Sequence, residues 1–141
     1  MKSFYSSRET IEKKCCSKHW KVRESVAKSI ATPAEFLEKL SHDHVALVRA
    51  EVAKNPTTSS ETLEKLAKDE DERVREEVAR NTNTPDEILK LLANDSSYYV
   101  RLGICYNVGA SLETLYKLQF DKKKDIGTAA TRMMNRTINK E

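Results

Sequence analysis

Glycine, proline and cysteine are scarce in this chain, three of each in 141 residues. Three glycines cannot supply a glycine-rich loop that cradles phosphates. No His-Glu-x-x-His helix and no nucleophile elbow occurs, so the expectation is a protein that is not an enzyme and carries no cofactor. Cys15, Cys16 and Cys105 are odd in number and two are adjacent, a poor disulfide framework; reduced thiols and a cytoplasmic protein are expected. Two adjacent cysteines beside His19 lack the spacing of a tetrahedral zinc site, so no metal is expected. Aromatic residues make up only 6%, which leaves the core to Leu, Val, Ile and Ala. No apolar run reaches the roughly 18 residues of a membrane span, and the N-terminus lacks the apolar core of a signal peptide. Charge of one sign does not dominate either. Twenty-five basic and 22 acidic residues are interspersed. The pI near 8.7 falls short of the range above about 9 that marks nucleic-acid-binding domains.

What is present is a period. Arg23, Arg49, Arg75 and Arg101 are 26 residues apart, and so are Asp43, Asp69, Asp95 and Asp121. Leu37, Leu63, Leu89 and Leu115 keep the same step, as do Leu40, Leu66, Leu92 and Leu118, and Val22, Val48, Val74 and Val100 with Ile126. Independent positions sharing one period without insertion define repeats, 6–31, 32–57, 58–83, 84–109 and 110–135.

Each unit reads as two helices. Thr32-Pro33-Ala34-Glu35 and Thr84-Pro85-Asp86-Glu87 offer a Thr cap, a Pro at the first helical position and a Glu closing a capping box. Thr58-Ser59-Ser60-Glu61 and Ser6-Ser7-Arg8-Glu9 keep the cap and the Glu. A first helix of about nine residues follows, with Leu37 and Leu40 on its apolar stripe and Glu35–Lys39 and Glu61–Lys65 as i, i+4 pairs. A second helix begins near Asp43, carries Val48, Val52 and Ala53, and stops at Asn55, Asn81 or Asn107, residues that tolerate left-handed backbone. Helices this short are marginal alone, so neighbouring units must stack into one continuous core. The expected architecture is an all-α superhelical solenoid in one domain, residues 1–141, with divergent end units and a loose basic tail from about Thr137.

The pattern Asp-x4-Val-Arg-x2-Val-Ala-x-Asn, then Thr-Pro-x-Glu-x-Leu-x2-Leu, clearest from Asp69 to Leu92, resembles the variant leucine-rich repeat, a branch of the HEAT-like families. The resemblance covers roughly residues 6–135. It implies a right-handed α-α superhelix, first helices that are partly 3₁₀ in some units, and service as a scaffold or binding surface. A founding member of that family carries an iron–sulfur segment, but Cys15 and Cys16 cannot supply its four ligands.

Three groups of residues are candidates for sites. The resemblance to HEAT repeats implies that Asp43, Arg49, Asp69, Arg75, Asp95 and Arg101 form a structural ladder between units; arginine's forked guanidinium suits that role. Regularly spaced arginines could alternatively track a phosphate backbone. A second basic column, Lys28, Lys54, Arg80 and Arg132, is broken by Tyr106 and could serve nucleic acid or an acidic partner, although Glu24, Glu51, Glu76 and Glu77 on the same helices oppose this. In the fourth unit Tyr99, Leu102 and Tyr106 replace the charged face Arg73, Glu76 and Arg80. They form either a partner-binding stripe or core covered by the last unit. The expected partner is another protein, met by a concave face that the second helices line; no membrane and no small-molecule substrate is inferred. Some bacterial DNA glycosylases use HEAT-like repeats, with Trp20 then available to stack on a base, and this is the remaining alternative.

Overall fold

The computed structural model describes residues 2–140. Its helices are α1 (Lys2–Cys15), α2 (Trp20–Lys28), α3 (Ala34–Leu40), α4 (Ala46–Lys54), α5 (Ser60–Leu66), α6 (Glu72–Arg80), α7 (Asp86–Leu92), α8 (Tyr98–Cys105), α9 (Leu112–Gln119) and α10 (Lys124–Ile138). No strand occurs among the described residues. Odd and even helices alternate as the first and second members of pairs, and pairs stack in chain order to form an all-helical solenoid.

The apolar columns form the core. Leu37, Leu40, Val48, Val52, Leu63, Leu66, Val74, Val78, Leu89, Leu92, Val100 and Ile104 are each at most 4% exposed. No helix of seven to nine residues could bury so much of its own stripe; each relies on its neighbours. The second helices pack closely on one another while the first helices stand farther apart, so the second helices form the inner row. Ala27, Ala53, Ala79 and Cys105, one 26-residue column, are small and fully buried where those helices meet. Gly103 tightens the approach of α8 to α6, since a Cβ there would lie 3.2 Å from that of Ala79.

Several local expectations are corrected. The first helices of the three central units have seven residues and are α-helical, not 3₁₀, and the second helices start at Ala46 or its equivalents rather than near Asp43. Thr32 and Thr84 do not cap: Pro33 and Pro85 occupy the cap position, and the Thr hydroxyls turn back to donate to Val26 O and Val78 O at 2.7 Å. Thr58 does the same to Val52 O at 2.6 Å. Among the first helices of the described pairs, Ser59 and Ser111 are the side-chain caps that do form, and Asp71 caps the second helix α6. Ser6 lies within α1, so its segment starts no helix. Lys39 approaches Cys16, and Lys65 pairs with Glu38 of the preceding unit at 2.9 Å, in place of the i, i+4 partners. The tail from Thr137 is not loose at its start, because α10 continues to Ile138.

The asparagine column is also reassigned. Asn55 has φ −65° and ψ 124°, extended rather than left-handed, and no described non-glycine residue has positive φ. Its Nδ2 donates to Ala27 O at 2.7 Å and Ser29 O at 3.0 Å, at the C-terminal end of the previous second helix. Asn81 does this to Ala53 O and Asn55 O, and Asn107 to Ala79 O and Asn81 O. Carbonyls at a helix end lack intrahelical donors, and here the next unit supplies them. Each Oδ1 meanwhile accepts the N–H two residues on, tying down the turn.

Candidate functional site

The turns between paired helices hold a row of charged bonds. Arg49 Nε and Nη2 donate to both carboxylate oxygens of Asp69 at 2.7 and 2.9 Å, while Nη1 donates to Asp43 O at 2.7 Å. Arg75 repeats this with Asp95 and with Asp69 O, and Arg101 with Asp121 and with Asp95 O. Arg23 extends the row to Asp43, at 2.5 and 2.9 Å. Each guanidinium thus forks onto the aspartate of the next unit and braces the turn of its own. Each of these aspartates also accepts the N–H two residues on, at Val45, Asp71, Ser97 and Lys123.

Burial alone would raise the carboxyls of Asp43, Asp95 and Asp121. The hydrogen bonds from Arg23, Arg75 and Arg101, with one backbone N–H each, outweigh it and hold all three below the usual aspartate value. The hydrogen bonds to Asp43, Asp69 and Asp95 raise Arg23, Arg49 and Arg75 in turn. The four arginine side chains are at most 16% exposed, with every fork engaged, which leaves them little capacity to track phosphates.

The second basic column is largely neutralised on its own helices. Lys28 pairs with Glu24 at 3.0 Å and Arg80 with Glu76 at 2.8 Å. Lys54 is exposed and lies near Glu77, whose half-buried carboxyl is raised by desolvation against the pull of Lys54 and Arg80. Arg132 stands apart from these on α10, exposed and without a carboxylate partner among the described residues.

The fourth unit presents a different surface. Tyr99 and Tyr106 are 54% and 58% exposed, and Leu102 between them is half-buried against the core. The last unit does not cover this face, so the reading of it as buried end-cap is corrected. The ring of Tyr98 meets Tyr99 edge-on at 5.2 Å, and its hydroxyl donates to Asp125 at the start of α10. That bond anchors one ring of the cluster and leaves its neighbour facing solvent. Tyr106 borders Arg132 across a cleft toward α10. In the third unit the same face carries charge, with Arg73 paired to Asp71 and Arg80 to Glu76.

The remaining candidates have local roles. Cys15 and Cys105 are buried free thiols, and desolvation pushes Cys105 up to about 12. Trp20 is half-buried against the core with the Lys21 ammonium 5.8 Å from its ring centre, so little of it is free to stack on a base. No helix among the described residues is long and apolar enough to cross a membrane. Of the cations between Lys122 and Lys140, the sequence pattern singles out Arg132 alone, because the others fall outside the 26-residue basic column.

Residues 46–71 and 72–97 match the leucine rich repeat variant family as two adjacent repeats. The matched units have the 26-residue length of the internal period and begin at α4 and α6, one helix out of phase with units counted from the first helix. No curated protein and no solved structure matches the chain.

Proposed function

We propose that this chain, whose central units are two tandem leucine rich repeat variant repeats, is a non-enzymatic scaffold that binds another protein. The binding face is the surface of α8 formed by Tyr99, Leu102 and Tyr106. One observation carries the reading: two tyrosine rings more than half exposed on a helix row that in the first and third units presents paired charges. Tyrosine offers large, rigid contact area at low entropic cost and is enriched among residues that dominate interface energies. The ladder aspartates and arginines serve the scaffold, holding units in register so that the face stays in one shape.

The double substitution Tyr99→Glu with Tyr106→Arg tests this. It installs charge of the kind the third unit carries. The expected result is a melting temperature within about 2 °C of the parent, together with loss of a protein partner captured by the parent chain and quantified by mass spectrometry. A fall of several degrees would make the face structural, and undiminished capture would place the interface elsewhere.

A further inference from the structure

We propose that the groove between the α9–α10 turn and α10 binds the phosphate backbone of a single-stranded nucleic acid, with Phe120 as a stacking surface for a base. The chain's positive charge is concentrated here. Residues 122–140 hold Lys122, Lys123, Lys124, Arg132, Arg136 and Lys140 against a single carboxylate, Asp125, a net charge of +5, whereas the rest of the chain, with Asp121 and Glu141 at the segment's two ends, sums to −2. Asp125 already accepts the Tyr98 hydroxyl. None of the six cations has a carboxylate within ion-pair distance among the described residues, whereas Lys28, Lys65, Arg80 and Lys90 and the ladder arginines are all paired.

Shape accompanies charge. The groove is open, about 1410 Å³ in volume, and its rim includes Lys122, Lys124, Arg132, Arg136, Lys140 and Phe120. Asp121 is the one carboxylate on its lining among the described residues, and both of its oxygens are taken by Arg101. Lys124, Arg132, Arg136 and Lys140 are separated by multiples of four residues. Four residues rise about 6 Å and turn about 40° past one full revolution, so on α10 Lys124, Arg132 and Arg136 follow a slowly winding stripe within about 120° of one another, and Lys140 comes just past the helix end. A stripe of cations can follow a chain of phosphates. Beside it Phe120 is 71% exposed, held edge-on to Tyr116 at 5.2 Å. Exposed aromatic rings beside a cationic groove are how single strands are bound without sequence preference. An acidic peptide would use the cations and leave the ring idle, and a lipid surface would meet a flat patch better than a concave groove.

Fluorescence anisotropy of the full chain with a fluorescein-labelled oligothymidylate of about twelve nucleotides tests the proposal. Saturable binding is expected, weakening as KCl rises from about 50 to about 200 mM, with a log–log slope of about −0.7 per phosphate contacted. Arg132→Gln with Arg136→Gln should weaken binding about tenfold or more and make the slope shallower by about 1.4. Phe120→Ser should weaken it about fivefold while leaving the slope in place. Lys122→Gln with Lys124→Gln, at the turn, repeats the charge test should the α10 variant fail to fold. Tyr99→Glu with Tyr106→Arg should keep oligonucleotide binding, which separates this site from the protein-binding face. No binding by the parent chain, or charge variants that bind like it, would overturn the proposal. So would a polyglutamate peptide or phosphatidylserine vesicles competing as well as unlabelled oligonucleotide.

Discussion

At Arg75 one planar guanidinium joins two units: two bonds reach Asp95 of the next, and a third holds the Asp69 carbonyl of its own turn. A lysine keeps the charge but loses the fork, so it can satisfy one of these groups well and leaves others unpaired in a poorly solvated turn. Arg75→Lys is therefore expected to cost about 1–3 kcal/mol in urea unfolding, with far-UV circular dichroism unchanged under native conditions. A cost within error of zero would mean that water replaces the fork freely. Gly127 shows where the row stops. It occupies the next position of the arginine column, where a Cβ would fall 2.6 Å from Gln119 O, so α10 settles directly on the end of α9. The repeat of Arg and Asp was plain in the sequence. The direction of each bond, from one unit to the aspartate 20 residues on, depends on how the units stack.

Among the elements, the second helices of the central units share a way of ending. Each is followed by an asparagine whose amide caps the helix before it rather than its own. A residue that looked like a local stop signal is thus a connector between elements, because its partners lie 26 and 28 residues away in the chain. Local pattern could assign the asparagine to a helix end but could not reveal that distance. Asn81→Ala removes donors from Ala53 O and Asn55 O, both buried at the end of α4, and should cost about 1–3 kcal/mol. Native-state hydrogen exchange should then quicken at the C-terminal turn of α4 more than at α8. Uniform acceleration would indicate a global effect without the cap. Asn81→Asp, which offers an acceptor to two carbonyls, should be no milder.

For the molecule as a whole, the charged row sets the response to acid. Asp43, Asp95 and Asp121 titrate below their unfolded value of about 3.9. A depressed carboxyl adds stability that is fully present above the unfolded value and is lost as pH falls through the folded one. Stability in urea should therefore stay level from about pH 7 to about pH 5 as far as these groups are concerned, then drop below about pH 4. A profile that stays flat to about pH 2 would show that the row contributes nothing net. On the same scale, the 26-residue period by itself determined the helix pairs, the apolar columns and their burial, since stripes too short to stand alone have no fold except a stack. Tertiary structure alone decided the rest. It left Tyr99 and Tyr106 open to solvent, paired Lys28 and Arg80 with their own glutamates, and gathered Phe120 around one groove with cations that have no ion-pair partner among the described residues. The physical reason is that burial along a stripe follows from local spacing, whereas exposure and pairing at a surface depend on where the last helix comes to rest.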